Sequence, residues 1–146
     1  ATPGQHLGSG KPKHTVPAEI RFPKLFHRRG ALSMAREPDE VNPERASSGS
    51  QFFIVTGRPY MPQELKPIEA RVSAATDGEI VYTDKVRGVY EDYGGAPHLD
   101  GQYTVFGHVV EGMRTITDIQ MKNTDEYDRP IEDIRIIRAT VVKEEE

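Results

Sequence analysis

The run Gln51-Phe52-Phe53-Ile54-Val55 constrains the fold of this chain more than any other stretch. Aromatic and β-branched residues in succession favour a strand, and Ser48-Gly49-Ser50 supplies a polar, turn-forming entry to it. On a strand, Gln51 and Phe53 project from one face, because successive side chains alternate. That face offers an amide that donates and accepts beside a flat apolar ring, the mixture from which small-ligand and peptide sites are built. The spacing is equally satisfied by a plain core strand, with Phe52, Ile54 and Val55 inside and Gln51 and Phe53 at a solvated edge. Spacing alone leaves both open.

Around this segment the pattern predicts further elements. Ala31 to Ala35 reads as a short strand with Leu32 and Met34 on one face, and Tyr103 to Val110 as another. Ile134 to Val142 is β-rich and reads as a last strand, bulged at Ile136-Ile137. Residues 1–30 show no sustained period and read as an extended loop region, with Phe26-His27-Arg28 a loop ahead of the first strand. A helix is expected over Gln63 to Ala75, its N-terminal end limited by Pro67. Thr83 and Asp84 open a second helix, and Gly94-Gly95 ends it. Val86, Val89, Tyr90 and Tyr93 form one apolar stripe along that helix, so it must pack on something. Met113 to Met121, opened by Gly112, reads as a third helix. Glu144-Glu145-Glu146 reads as a solvated tail.

At 146 residues the chain has the size of one domain. A formal charge of −4 and a pI near 5.8 argue against nucleic acid, which needs clustered Lys and Arg. With no cysteine, disulfides and thiol chemistry are excluded. No stretch reaches the ~20 apolar residues of a membrane-spanning helix. The five histidines show no i, i+4 ligand pair, so no metal site is expected. Gly8-Ser9-Gly10-Lys11 fails as a phosphate loop, because Gln5 stands where its first glycine belongs and Pro12 where Ser or Thr belongs. The Glu37, Asp39 and Glu40 cluster reads as solvated surface, and no Ser/His/Asp or Cys/His nucleophile set is evident. With no cysteine, the redox compartment is not legible either.

Three blocks carry a resemblance: Ser33-Met34-Ala35, then Ser48-Gly49-Ser50-Gln51-Phe52-Phe53-Ile54, then Leu99-Asp100-Gly101-Gln102-Tyr103-Thr104-Val105-Phe106-Gly107-His108-Val109. In this order they resemble the cyclophilins, peptidyl-prolyl cis-trans isomerases, from about Leu7 to Val142. The resemblance implies a mainly β fold, a closed antiparallel β-barrel capped by helices. It also implies that only the later strands lie in this chain, a single N-terminally incomplete domain over 1–146 with an insert at 57–97 like that of some bacterial members. Leu7-Gly8-Ser9-Gly10 resembles the family's glycine-rich turn at the groove. The family's catalytic arginine lies in a region that the chain is expected to begin after. Phe26-His27-Arg28 has the letters of that region's motif in the wrong place, so the role is not carried onto Arg28.

The implied function is isomerisation of X-Pro bonds during protein folding, and the alternative is a noncatalytic proline-peptide binding module of the same fold. By the resemblance, Gln51 and Phe53 are the catalytic-groove residues. Phe53, Leu99 and Tyr103 line a proline slot, and Gln51 bonds the substrate backbone. The main chain around Ala35-Arg36 pairs with the peptide like an added strand. His98 stands where some members carry Trp, so cyclosporin affinity is expected to be weak. The implied partners are proline-containing peptides or unfolded proteins, with no cofactor and no metal. A missing N-terminal segment or a second copy is expected to complete the barrel, because the face of Leu32, Phe52, Ile54 and Phe106 would otherwise stay uncovered.

Overall fold

The computed structural model describes residues 14–143. In chain order the elements are β1 (Thr15–Val16), β2 (Ala31–Met34), β3 (Ser47–Ser48), β4 (Phe52–Ile54), α1 (Pro62–Ala75), α2 (Asp84–Asp92), a 3-10 turn (Pro97–Leu99), β5 (Val105–His108) and α3 (Met113–Gln120). Five of these nine elements are strands, in keeping with a mainly β fold. β2 is the centre of a three-stranded antiparallel sheet, order β4-β2-β5, and β1 pairs with β3 in a separate ribbon. The register sets Ser33 opposite Phe53 and Met34 opposite Phe52, so Phe53 and Phe52 face opposite sides of the sheet.

Most of the expected elements form. α2 is capped as read: the Thr83 side chain accepts from the Val86 N–H, and the helix ends at Tyr93 before Gly94 at φ +79°. Val86 and Tyr90 are buried, whereas Tyr93, the last of the stripe, is 65% exposed at the C-cap. The stripe packs against Leu65 and Val72 of α1, with Ile80, Tyr82, Phe22, Phe26 and Tyr60 completing the cluster. Burial of each such apolar side chain contributes about 1.5–3 kcal/mol. A second cluster of Ala31, Val55 and Val105, joined by Phe53, Leu25 and Ala96, lies on the sheet. Residues 60–90 thus build a hydrophobic cluster beside the sheet, joined by Phe22 and Phe26.

Several expectations are corrected. Pro67 does not limit α1, which begins with Pro62 and runs through Pro67. Pro62, at the first position, gives up an N–H with no helical partner there, whereas Pro67, at the sixth, gives up the bond to the Gln63 carbonyl and the helix continues without it. Residues 14–30 are not all loop, because Thr15 and Val16 pair with Ser48 and Ser47. Such two-residue strands leave no period to read. The last strand over Ile134 to Val142 does not form: the segment has no strand pairing, with Ile137 99% and Val141 96% exposed. Alternation gives a segment two faces but no partner edge, and a strand needs that edge. Among the described residues the sheets accordingly do not close into the expected barrel. Phe52, expected inside by the plain reading, is 49% exposed and Phe106 51%, on the uncovered face, while Val55 is buried. The glycine-rich turn at Leu7–Gly10 and the acidic tail lie outside the described residues.

Candidate functional site

Phe53 stands on β4 with its ring against two other rings. Tyr103 meets it edge-on at 5.9 Å and 80°, and the His27 imidazole lies nearly parallel to it at 6.4 Å and 13°. The Arg36 guanidinium stacks 4.5 Å from the centre of the Tyr103 ring, a cation–π contact. Arg36 Nε donates to the Gln102 carbonyl at 2.7 Å, and its Nη1 bonds the Glu37 carbonyl at 2.9 Å and pairs with Asp39. Arg45 holds the same carboxylate and reaches the Gly101 carbonyl. The hydrogen bonds from Arg36, then Arg45, hold the Asp39 carboxyl below its ordinary pKa. Two arginines on one carboxylate thus staple the loop after β2 to the segment carrying Tyr103.

Gln51 is half-buried at the start of β4, its N–H donating to Ser48 Oγ at 3.2 Å. The Ala35 N–H donates to the Gln51 carbonyl, and the Ala35 carbonyl accepts from the Ser48 N–H. A cavity of about 220 Å³ lies beside them, lined by Arg36, Gln51, Ser48, Thr15, Val41 and Asn42. A larger one, about 590 Å³, is lined by Leu25, Phe26, Val86, Val89 and Val105 and includes none of the sequence-predicted site residues. Leu99 is half-buried and His98 exposed on the 3-10 turn, immediately before Asp100. Burial of part of the imidazole, then the neighbouring His27, lowers the His98 pKa.

Beneath the Phe53 ring lies a buried polar chain. Asp100 Oδ1 accepts from the His27 backbone N–H and from His27 Nδ1, each at 2.9 Å. Its Oδ2 accepts from the Tyr82 and Tyr90 hydroxyls, each at 2.7 Å. His27 Nε2 lies 3.0 Å from Ser33 Oγ, which also bonds the Thr104 carbonyl. Burial, then the adjacent Asp100 charge, pushes both phenols far above their ordinary pKa, so they stay protonated and donate. The sequence showed no Ser/His/Asp set, yet Ser33, His27 and Asp100 stand in the order and spacing of one. At 0% and 1% exposure for Ser33, His27 and Asp100, no substrate reaches the serine, and the arrangement is a brace.

The structure therefore joins Phe53, Tyr103 and Arg36 by direct contact, sets Gln51 beside Ala35, and places His98 and Leu99 on the turn leading to Asp100. His27, Asp100, Ser33, Tyr82 and Tyr90 escaped sequence reasoning. The one available signal was a carboxylate in the Leu99-Asp100-Gly101 run next to apolar residues, because a buried charge demands partners. Those partners lie 73, 18 and 10 positions away, where spacing says nothing.

Comparison with known proteins gives the family of the chain. The family model described as "Cyclophilin type peptidyl-prolyl cis-trans isomerase/CLD" matches residues 2–141. A protein of Staphylococcus saprophyticus named "Putative peptidyl-prolyl cis-trans isomerase" is 34% identical over 92% of this chain and 61% of its own length. Proteins of the same name from Staphylococcus haemolyticus and Staphylococcus aureus are 35% and 34% identical, over 77% and 82% of this chain. The chain spans only 50% and 52% of those two relatives. With the three sequence blocks and the family model in agreement, the chain belongs to the cyclophilin-type peptidyl-prolyl cis-trans isomerase family.

Proposed function

We propose that this chain binds X-Pro segments of peptides or unfolded proteins at Phe53 and accelerates their cis/trans isomerisation. The observation that carries the reading is the Phe53 ring, walled by Tyr103 and supported by a buried imidazole. The reaction needs no nucleophile, metal or cofactor. Its barrier of roughly 18–20 kcal/mol is amide resonance, and the uncatalysed step takes tens to hundreds of seconds. A protein lowers it by binding the twisted amide better than either planar isomer. The pyrrolidine ring sits on Phe53 with Leu99 and Tyr103 as walls, and the Gln51 amide bonds the peptide backbone. Because both main-chain groups of Ala35 are engaged within the chain, strand-like pairing falls to Arg36. His98 at the rim goes with weak cyclosporin binding, read by titration.

One observation favours the second reading, a binding module without catalysis. Arg28 is exposed, with its backbone bridged to Gly95 rather than set at the Phe53 ring. On this reading residues 57–97 are an insert in one domain over 1–146. The exposed Phe52 and Phe106 face is then covered by a further segment of the protein or a second copy. Titration of an isotope-labelled chain with an Ala-Pro and an Ala-Ala peptide tests the site: Phe53 and Tyr103 signals should move with the first and not the second. Exchange spectroscopy on the same sample separates binding from catalysis. Equal responses to both peptides would refute the slot.

A further inference from the structure

We propose that Tyr82 and Tyr90 of the insert are positioning residues for the proline slot, acting on Phe53 through Asp100 and His27. The inference rests on the slot reading above and gives residues 57–97 a part in it.

Tyr82, Tyr90, Asp100, His27 and Ser33 are each 4% exposed or less. Neither tyrosine needs its hydroxyl to fill the core: the two rings stack on each other at 5.9 Å, and phenylalanine would pack as well. A buried hydroxyl costs free energy unless it is bonded, so its presence points to its partner. Here the Tyr82 hydroxyl is within 2.8 Å of the Pro97 carbonyl, and both hydroxyls converge on one carboxylate oxygen, Asp100 Oδ2, at 2.7 Å. The other oxygen takes the donors of His27. Four donors on three residues, His27, Tyr82 and Tyr90, hold the carboxylate from both sides against turning.

The consequence runs to the slot in two directions. Asp100 directly follows Leu99, so fixing its side chain fixes the turn that presents the leucine. Asp100 also fixes the His27 imidazole, which lies flat against Phe53 and edge-on to Tyr103 at 6.4 Å. Its other nitrogen reaches Ser33, the residue paired with Phe53 across β2 and β4. Without the two hydroxyls, Asp100 is held from the His27 side alone and can rotate. The imidazole and the ring above it then lose their fixed plane. Tyr82 and Tyr90 touch no substrate.

The test uses the full chain and the variants Tyr82→Phe, Tyr90→Phe and the double. The probe is an Ala-Pro peptide, and the second readout is the ring N–H of His27. Among the described histidines only His27 is buried, so only its bonded ring proton should be protected from exchange with water. The double variant should retain the helical circular dichroism of the wild type. It should bind the peptide about tenfold more weakly. The His27 ring proton should shift and exchange faster, and the ring signals of Phe53 and Tyr103 should broaden before any peptide is added. Each single variant keeps one donor to Oδ2 and should fall between, so the singles decide the matter if the double does not fold. Wild-type affinity with an unmoved His27 proton in the double, or in both singles, overturns the proposal and leaves the slot reading standing. A wild type whose Phe53 and Tyr103 signals ignore the peptide refutes the slot reading and the proposal together.

Discussion

Replacing Asp100 by Asn changes almost no volume and should destabilise the chain heavily. The carboxylate accepts four hydrogen bonds: Oδ1 from the His27 N–H and Nδ1, Oδ2 from the Tyr82 and Tyr90 hydroxyls. An asparagine keeps one acceptor oxygen and must aim its NH₂ at the other pair of donors. With the oxygen kept on His27, the NH₂ faces the two hydroxyls. Tyr82 can turn its proton to the Pro97 carbonyl at 2.8 Å and accept, but Tyr90 loses its charged acceptor. With the amide reversed, the NH₂ faces the two His27 donors. Bonds to a charged group contribute roughly 1.5–3 kcal/mol each, and the pair that survives becomes a weaker neutral pair. The expected loss is about 3–5 kcal/mol, in the range measured when one partner of a buried charged arrangement is removed. With a urea m-value of about 2 kcal/mol/M, the midpoint should fall by about 2 M at unchanged m. The assay is urea unfolding followed by far-ultraviolet circular dichroism. The same substitution in the Tyr82→Phe/Tyr90→Phe background should cost at least ~1 kcal/mol less, because the two bonds from the hydroxyls to the carboxylate are already absent there. A loss under about 1 kcal/mol, or strict additivity of the cycle, would refute the shared-carboxylate account.

Gly95→Ala should destabilise strongly, because Gly95 has φ +145° and a Cβ there would collide with the His27 carbonyl and come within 2.9 Å of the Tyr90 ring; a loss of several degrees in thermal melting is expected, and an unchanged melt contradicts the packing. Glu64 has its pKa drawn from 4.5 to about 2, first by the Arg58 hydrogen bonds and then by the Met61 N–H. A depressed carboxylate pKa adds stability that is fully present above the ordinary value and lost as pH falls through the folded one, here from about 4.5 down to about 2. In a carboxyl-carbon titration the Glu64 midpoint should lie near 2 and rise in Arg58→Met, whereas a wild-type midpoint at 4.5 would remove the ion pair. Arg36→Lys should loosen the Tyr103 wall, since an ammonium cannot both stack on the ring and keep the fork of bonds to Gln102 and Glu37; peptide affinity should fall a few-fold, roughly 0.5–1 kcal/mol, and an unaltered Tyr103 ring shift would contradict it.

The sequence revealed what is written in local patterns. The Thr83 cap, the apolar stripe of α2 and the strand around Phe53 each depend on neighbours within a turn or a pleat. The cap formed as read, the stripe is buried at Val86 and Tyr90 but not at Tyr93, and the strand is shorter, Phe52–Ile54. The last strand failed because Ile134 to Val142 has alternation without a partner edge, and pairing is not a local property. The slot wall of Phe53 and Tyr103 was legible only through the resemblance, since 50 positions separate the two residues. The brace beneath it left one mark in the sequence, the Asp100 carboxylate beside Leu99, and none of its partners. Its members belong to four separate segments, and Phe26-His27-Arg28 looked like an ordinary loop. A loop sequence gives no sign that its histidine is buried against a carboxylate far along the chain.

On the proposed function, Phe53 is the floor on which an X-Pro bond is turned. Exchange spectroscopy on an Ala-Pro peptide, with the intact protein and its Phe53→Ala variant side by side, tests it most directly. The ring is half-buried against the sheet and walled by Tyr103, so its loss should leave the circular dichroism in place while removing most of the apolar contact with proline. Wild-type protein should raise the cis/trans exchange rate, and Phe53→Ala should cut that acceleration at least tenfold, about 1.4 kcal/mol of transition-state binding. Exchange as fast in the folded variant as in the wild type would contradict the account.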